Sequence, residues 1–138
     1  MAKDLFHPIV RVALEKDGWR ITHDPYPLSY GIVNLYIDLA AEITIGAEKE
    51  ERKIAVEVKS FASGSVISEF HTALGQYLNY KIALENSKEP DRILFLAVPS
   101  EVEDTFLRFD LAKTIIQRYQ LQLIVYDVNR EVISKWIK

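Results

Sequence analysis

The chain has 138 residues and contains 49% hydrophobic and 27% charged residues, a balance typical of one globular domain, residues 1–138, with a proper core. No apolar run is long enough to cross a bilayer and the start of the chain lacks a signal peptide's apolar segment, so we expect a cytoplasmic protein without a membrane partner. The absence of cysteine excludes disulfide frameworks and thiolate metal sites. The net charge of −3 disfavours a free-standing nonspecific DNA binder, because phosphate contacts require basic surface. Any DNA-facing surface must then be local, or a partner must supply it.

The first half of the chain predicts one helix and three strands. Apolar residues at helical spacing indicate a helix over 4–16, with Pro8 near its start and Gly18 after its end. A short strand is expected at 19–22, and two prolines indicate a loop at 23–27. Two longer strands follow at about 32–40 and about 53–61, with a turn within 48–51.

The second half alternates helices with strands. Ser63-Gly64-Ser65 can cap a helix that runs to about Asn86. Residues 93–98 form a continuous apolar run, which is typical of a strand buried on both faces. The remaining predictions are a helix at 111–119 and strands at 121–126 and 132–137. Together these elements predict an α/β fold with a mixed sheet.

Three charged residues in the two longer strands form the principal candidate site. Alternation places Glu57 and Lys59 on the face opposite to Ile54, Val56 and Val58. Asp38 likewise points away from an apolar face made of Leu35, Ile37 and Leu39. If the strands are neighbours in the right register, Asp38, Glu57 and Lys59 converge, and two carboxylates with a lysine suit a divalent metal and phosphodiester cleavage. The alternative is an ion-paired patch on a solvent-facing sheet surface.

The long second helix adds two polar residues to this candidate site. Gln76 and Tyr80 lie four residues apart and therefore share one helix face. A different stripe is better suited to the core: Phe70, Leu74, Tyr77 and Leu78. Taken alone, Gln76 and Tyr80 are equally consistent with a hydrogen-bonded surface pair.

The order of these residues resembles the PD-(D/E)xK superfamily of restriction-endonuclease-like proteins: Asp38 in one strand, Glu57-x-Lys59 in the next and Gln76-x-x-x-Tyr80 on the following helix. Over nearly the whole chain the sequence is similar to the cyanobacterial XisH family. Those proteins are named as controlling factors for excision of the fdxN element, a DNA segment removed during heterocyst differentiation. The segments that carry the similarity are Ala2–His7, Asp17–Trp19, Leu35–Leu39, Val56–Phe61 and Ser68–Tyr77.

The resemblance implies a restriction-endonuclease-like three-layer fold, with a central mixed β-sheet flanked by helices. It also implies Mg²⁺ or Mn²⁺ bound by Asp38, Glu57 and the backbone carbonyl of Val58. Lys59 would orient or activate the attacking water and stabilise charge on the phosphate. The residues that would hold the water, the lysine or a phosphate are Gln76 and Tyr80.

The sequence also departs from the superfamily pattern. Many active members carry a metal-facing Glu on the first helix, where this chain has His7, while Glu15 lies two turns later. No proline precedes Asp38, and the 18 residues between Asp38 and Glu57 require a long hairpin.

Three functions remain open at this stage. The first is a metal-dependent DNA endonuclease. The second is a non-enzymatic excision factor that acts with an XisI-like protein, while a separate site-specific recombinase cleaves the strands. The third is a nuclease toxin that XisI holds inactive.

Overall fold

The computed structural model describes residues 4–138 as an α/β fold of four α-helices and eight β-strands. A 3₁₀ turn at Phe106–Arg108 separates the last two helices. None of the helices in this part of the chain is long and apolar enough to span a membrane. In chain order the elements are α1 (His7–Lys16), β1 (Arg20–His23), β2 (Tyr26–Tyr30), β3 (Val33–Ile37), β4 (Leu39–Ile45), β5 (Glu50–Val58), α2 (Val66–Glu85), β6 (Ile93–Pro99), α3 (Ser100–Asp104), α4 (Asp110–Arg118), β7 (Leu123–Asp127) and β8 (Val132–Ile137).

Six strands form the central sheet in the order β1-β4-β5-β6-β7-β8. β4 and β5 form an antiparallel hairpin, β5, β6 and β7 run parallel, and β8 is antiparallel to β7. β2 and β3 form a separate two-stranded antiparallel sheet. The predicted mixed sheet is therefore confirmed, with the helix α2 making the crossover between parallel strands β5 and β6.

Apolar clusters cover both faces of the central sheet and make the fold three-layered. On one face, α1 contributes Val10 and Leu14, which pack with Val56 and Val58 of β5. On the other face, side chains of α2, α3 and α4 pack with Ala55 of β5. Alternate β5 residues thus enter opposite layers, as the sequence predicted.

The predicted strand at 32–40 is in fact two strands that meet at Asp38. Ile37 ends β3 and packs in the α2-side cluster, whereas Leu39 begins β4 and packs in the α1-side cluster. The predicted common face for Leu35, Ile37 and Leu39 is therefore wrong. The reason is tertiary, because β3 pairs with β2 while β4 pairs with β1 and β5, and alternation is interrupted where the chain changes sheets.

The loop predicted at 23–27 is also partly wrong, since Tyr26 and Pro27 belong to β2. A proline is compatible with a strand where its nitrogen faces away from the paired strand. The predicted start of the long helix is confirmed, because Ser65 is its N-cap and accepts a hydrogen bond from the amide of Ser68 at 3.3 Å.

Candidate functional site

The register of the β4–β5 hairpin brings Asp38 and Glu57 together. Leu39 pairs with Val56, so Asp38, one residue earlier, lies beside Glu57, one residue later. Glu57 Oε1 accepts a hydrogen bond from the Asp38 amide at 3.2 Å, and Asp38 Oδ2 accepts one from the Val58 amide at 2.8 Å. Each carboxylate is thus held by the other residue's strand, and both are buried, at 6% and 5% exposure.

Burial of two adjacent acids disfavours their ionised forms. Burial raises the pKa of Glu57 to about 8, and the charge of Asp38 adds to the shift. Burial also raises the pKa of Asp38, although the hydrogen bond from Val58 acts in the opposite direction. A closely spaced pair with raised pKa values binds a proton, or another cation, more tightly than two exposed carboxylates do.

Lys59 supplies the positive charge nearest to the pair. Its Nζ lies 3.9 Å from Glu57 Oε2, and its side chain is 17% exposed. The backbone around it is fixed from several sides: the Lys59 amide donates to Ala97, the Tyr126 hydroxyl donates to the Lys59 carbonyl, and the Ser60 amide donates to Asp4 Oδ2. The Lys59 backbone, just beyond β5, is therefore held rigidly, and its amine is directed toward Glu57.

His7 closes the α1 side of the same site. The ring is buried, and its Nε2 lies 2.8 Å from Asp24 Oδ1, while Arg11 donates to Asp24 Oδ2 at 2.6 Å. Its Nδ1 lies 3.9 Å from Asp38 Oδ1 and has no hydrogen-bond partner among residues 4–138. Asp24 and Arg11 were absent from the sequence-based site, and no spacing signal could have found them because Asp24 lies in an irregular segment 17 residues from His7.

Gln76 and Tyr80 occupy different environments on α2. Tyr80 is buried in the α2-side cluster, and burial, followed by the charges of Glu57 and Asp38, raises the pKa of its hydroxyl. The charges of both carboxylates thus act on the Tyr80 hydroxyl. Gln76 is partly buried, and its Oε1 has no hydrogen-bond partner within the described chain. The Gln76 side chain thus retains an acceptor that the described part of the chain does not use.

The donor set fits a hard cation that keeps part of its water shell. Residues 4–138 contain no group of three or more His, Asp or Glu side chains able to enclose a metal. The pair Asp38 and Glu57 supplies carboxylate oxygens, and the Val58 carbonyl lies on the same strand edge as the amide that donates to Asp38. Mg²⁺ commonly binds through one or two carboxylates with water and substrate phosphate completing its shell, so these residues suit Mg²⁺ or Mn²⁺.

The sequence matches the XisH protein family over residues 1–134. The chain belongs to the XisH family. It is 51% identical to a protein of that family from Nostoc punctiforme PCC 73102, with a TM-score of 0.88 over 98% of this chain and 100% of the other. It is also 51% identical to an fdxN element excision controlling factor protein from Anabaena variabilis, with a TM-score of 0.86 over 96% of this chain and 98% of the other.

A weaker likeness links this XisH family chain to a repair endonuclease from Pyrococcus abyssi. The two are 15% identical, with a TM-score of 0.49 over 90% of this chain and 44% of the other. No protein of curated function shows significant similarity to the sequence.

Proposed function

We propose that this XisH family protein carries a Mg²⁺- or Mn²⁺-dependent phosphodiesterase site and acts on DNA during controlled excision of a DNA element. The excision role is taken from the Anabaena variabilis relative, which is named as an fdxN element excision controlling factor. The observation that carries the catalytic part is the buried pair Asp38 and Glu57 with Lys59 beside it. Two carboxylates with raised pKa values and one amine in a rigid strand end are costly to bury, and such costs are concentrated at functional sites.

Each residue has a distinct role in this proposal. Asp38, Glu57 and the Val58 carbonyl would hold the cation, whose contribution would be to polarise the phosphate and to lower the pKa of a coordinated water. Lys59 stabilises the negative charge that develops on the phosphate and orients the attacking water. Tyr80 can donate its hydroxyl to a phosphate oxygen, and Gln76, whose Oε1 has no hydrogen-bond partner among residues 4–138, can accept a hydrogen bond from that water. His7 lies beside Asp38 on the α1 side, where Asp24 fixes its ring.

A second candidate is an accessory factor without nuclease activity. The net charge of −3 favours it, because a protein that binds DNA alone usually carries a basic excess. In this case the protein would act with an XisI-like partner, while a site-specific recombinase cleaves the DNA. A related form is a nuclease that the XisI-like partner holds inactive. The accessory form predicts that no cleavage occurs, and the inhibited form predicts that the partner changes the outcome of a cleavage assay.

The deciding experiment measures cleavage of linear, nicked and branched DNA with Mg²⁺ or Mn²⁺, with the wild type and Glu57→Gln purified in parallel. The substitution keeps the shape of the side chain and removes its charge. We expect cleavage by the wild type and at least 100-fold less by Glu57→Gln, because the cation loses one of its two side-chain ligands. Equal cleavage by both preparations would identify a contaminant. Absence of cleavage with and without an XisI-like protein would favour the accessory role.

Lys59→Ala separates chemistry from metal binding. We expect this variant to bind Mn²⁺ nearly as tightly as the wild type in titration calorimetry and to lose cleavage, because Lys59 is not a ligand. Asp38→Ala should lose both. If Lys59→Ala weakens Mn²⁺ binding as much as Asp38→Ala does, the lysine positions the carboxylates rather than acting on the phosphate.

A further inference from the structure

The β2–β3 hairpin is a two-stranded sheet with unequal edges. A two-residue turn, Gly31-Ile32, joins its strands, and Gly31 has φ +60°, as the first position of a type II′ turn requires. With this turn, Tyr30 and Val33 form a hydrogen-bonded pair. The pairs Ser29–Asn34 and Pro27–Tyr36 then direct their own N–H and C=O groups outward, away from the partner strand.

Pro27 blocks the addition of a strand at the outer edge of β2, whereas the outer edge of β3 stays open. On the outer edge of β2, Pro27 lacks the N–H that an added strand would need. On the outer edge of β3, Asn34 and Tyr36 retain both backbone groups, and both residues are exposed. Among residues 4–138, β3 has β2 as its sole strand partner.

The edges of the central sheet are protected in ways that β3 is not. The edge strand β1 carries Arg20, and its pairing with β4 is interrupted between Ile21 and His23. The edge strand β8 carries Lys135, and its pairing with β7 is also irregular. Charges and irregular pairing are the usual protections against strand addition. The β3 edge lacks them, because no charged residue lies between Asp24 and Asp38.

The hairpin also presents apolar side chains to solvent. The most exposed of these, between 45% and 100%, are Tyr30, Ile32, Val33, Tyr36 and, on α2, Ile82. A hollow of about 270 Å³ lies under the hairpin tip between Tyr30, Val33 and Ile82. Apolar side chains that are exposed together in one patch, rather than singly, indicate an interaction site on a soluble protein.

We propose that a second copy of this chain pairs with the β3 edge, antiparallel about a twofold axis, to form a continuous four-stranded sheet. The edge is self-complementary in this arrangement: Asn34 exchanges backbone hydrogen bonds with Tyr36 of the partner subunit, and the symmetric pair does the same. The axis passes through Leu35. An uncharged edge suits this occupant because two identical charged strands would repel each other at close approach.

The pairing has a consequence for the candidate site. Asp38 lies three residues beyond Leu35, so the two copies of Asp38 would be separated by about 20 Å along the joined strands at 3.3 Å per residue. The dimer would therefore present two carboxylate pairs on one assembly. The pairing itself does not depend on nuclease activity, so its test and the cleavage assay can fail independently.

Two proline variants form a matched test by sedimentation velocity. Asn34→Pro removes an outward N–H from the open edge of β3. Ser29→Pro removes the outward N–H of the residue paired with Asn34, which lies on the β2 edge that Pro27 already blocks. We expect the wild type and Ser29→Pro to be dimeric and Asn34→Pro to be monomeric, with circular dichroism showing that both variants are folded. A monomeric wild type would overturn the proposal, as would a folded Asn34→Pro that remains dimeric.

A cysteine variant tests the twofold register even if Asn34→Pro fails to fold. The chain contains no cysteine, so Leu35→Cys introduces a single thiol at the axis. Facing residues of a non-hydrogen-bonded antiparallel pair have Cα atoms about 4.5 Å apart, within the range of a disulfide. We expect mild oxidation to give a covalent dimer with Leu35→Cys and none with Ser29→Cys. Absence of the Leu35→Cys dimer would overturn the proposed pairing.

Discussion

Two clusters of charged residues, each with a buried member, lie toward opposite ends of strand β5, and their arrangements are opposite. Toward the amino end, the Arg92 cluster (Arg92, Glu42, Glu89, Lys53) alternates positive and negative groups. The Arg92 side chain is fully buried, donates to the Ile54 carbonyl at 2.9 Å and pairs with Glu89 at 2.9 Å. At the carboxyl end, the carboxylate site (Asp38, Glu57, Lys59) sets two acids side by side with one lysine at 3.9 Å.

Glu89 of the Arg92 cluster and Glu57 of the carboxylate site have pKa values shifted in opposite directions. Burial raises the pKa of Glu89, but hydrogen bonds from Tyr26 and Lys53 and the charge of Arg92 outweigh it and lower the pKa to about 2. At Glu57, burial and Asp38 act in the same direction and raise the pKa to about 8. The Arg92 cluster is thus arranged for stability, whereas the carboxylate site lowers stability and keeps the capacity to bind a cation.

The largest effect is expected from Arg92→Ala. Removing this side chain leaves Glu42 and the carbonyls of Ala41 and Ile54 without their buried cationic partner. We expect the free energy of unfolding to fall by about 3–5 kcal/mol in urea denaturation, the usual cost of breaking a buried ion pair. Arg52→Ala, on the exposed side of the same cleft, is the control and should change it by about 0.5 kcal/mol or less. A loss below about 1 kcal/mol in Arg92→Ala would show that the cluster is not stabilising.

In contrast to Arg92→Ala, Glu57→Gln should raise the free energy of unfolding of the metal-free protein. The folded-state pKa of about 8 lies above the ordinary value of 4.5, so the folded state binds the proton more tightly than the unfolded state. Wild-type stability should therefore decrease as the pH rises from about 4.5 to about 8. With metal chelated, we expect Glu57→Gln to be more stable than the wild type at pH 8 by on the order of 1–3 kcal/mol, and nearly equal to it at pH 4. A variant less stable than the wild type at pH 8 would assign Glu57 to the structural core.

Mn²⁺ should offset the loss of stability caused by the paired carboxylates in the wild type, but not in Asp38→Asn. A cation that binds the folded state stabilises it in proportion to the logarithm of its concentration over its dissociation constant. We expect millimolar Mn²⁺ to raise the melting temperature of the wild type by several degrees, and to leave that of Asp38→Asn unchanged. Samples from which a chelator has removed divalent cations provide the baseline melting temperature. Equal shifts in both proteins would place the bound cation elsewhere.

The smallest effect concerns the acid sensitivity of the Arg92 cluster. Because the pKa of Glu89 is lowered to about 2, its contribution is complete above pH 4.5 and is lost as the pH falls toward 2. In Glu89→Gln, the decrease in stability over that interval should be smaller than in the wild type. The exposed Glu48→Gln should behave as the wild type does. An unchanged acid transition in Glu89→Gln would mean that the ion pairs with Arg92 and Lys53 contribute little.

Local patterns predicted most of the regular elements and placed Asp38, Glu57 and Lys59 in one candidate group. The alternation in β5 predicted that Glu57 would lie on the face opposite to Val56 and Val58, and the apolar run at 93–98 predicted a buried strand, which β6 is from Leu94 onward. Such patterns are informative because side-chain direction in a strand has a fixed period of two. The same rule failed at Asp38, where the chain passes from one sheet to another and no local residue marks the change.

The sequence by itself determined the α/β class, the positions of most helices and strands, and the acids and lysine of the candidate site, because these depend on periodicity and residue chemistry within short segments. Only the tertiary structure decided that Asp38 accepts a hydrogen bond from the Val58 amide, that Asp24 contacts both His7 and Arg11, and that the buried Arg92 pairs with Glu42 of β4. These contacts join residues 13–50 positions apart in the chain, and such pairs are set by strand order and register rather than by local pattern. The same is true of the uncharged β3 edge, since a strand becomes an edge only through the absence of a neighbour in the folded sheet.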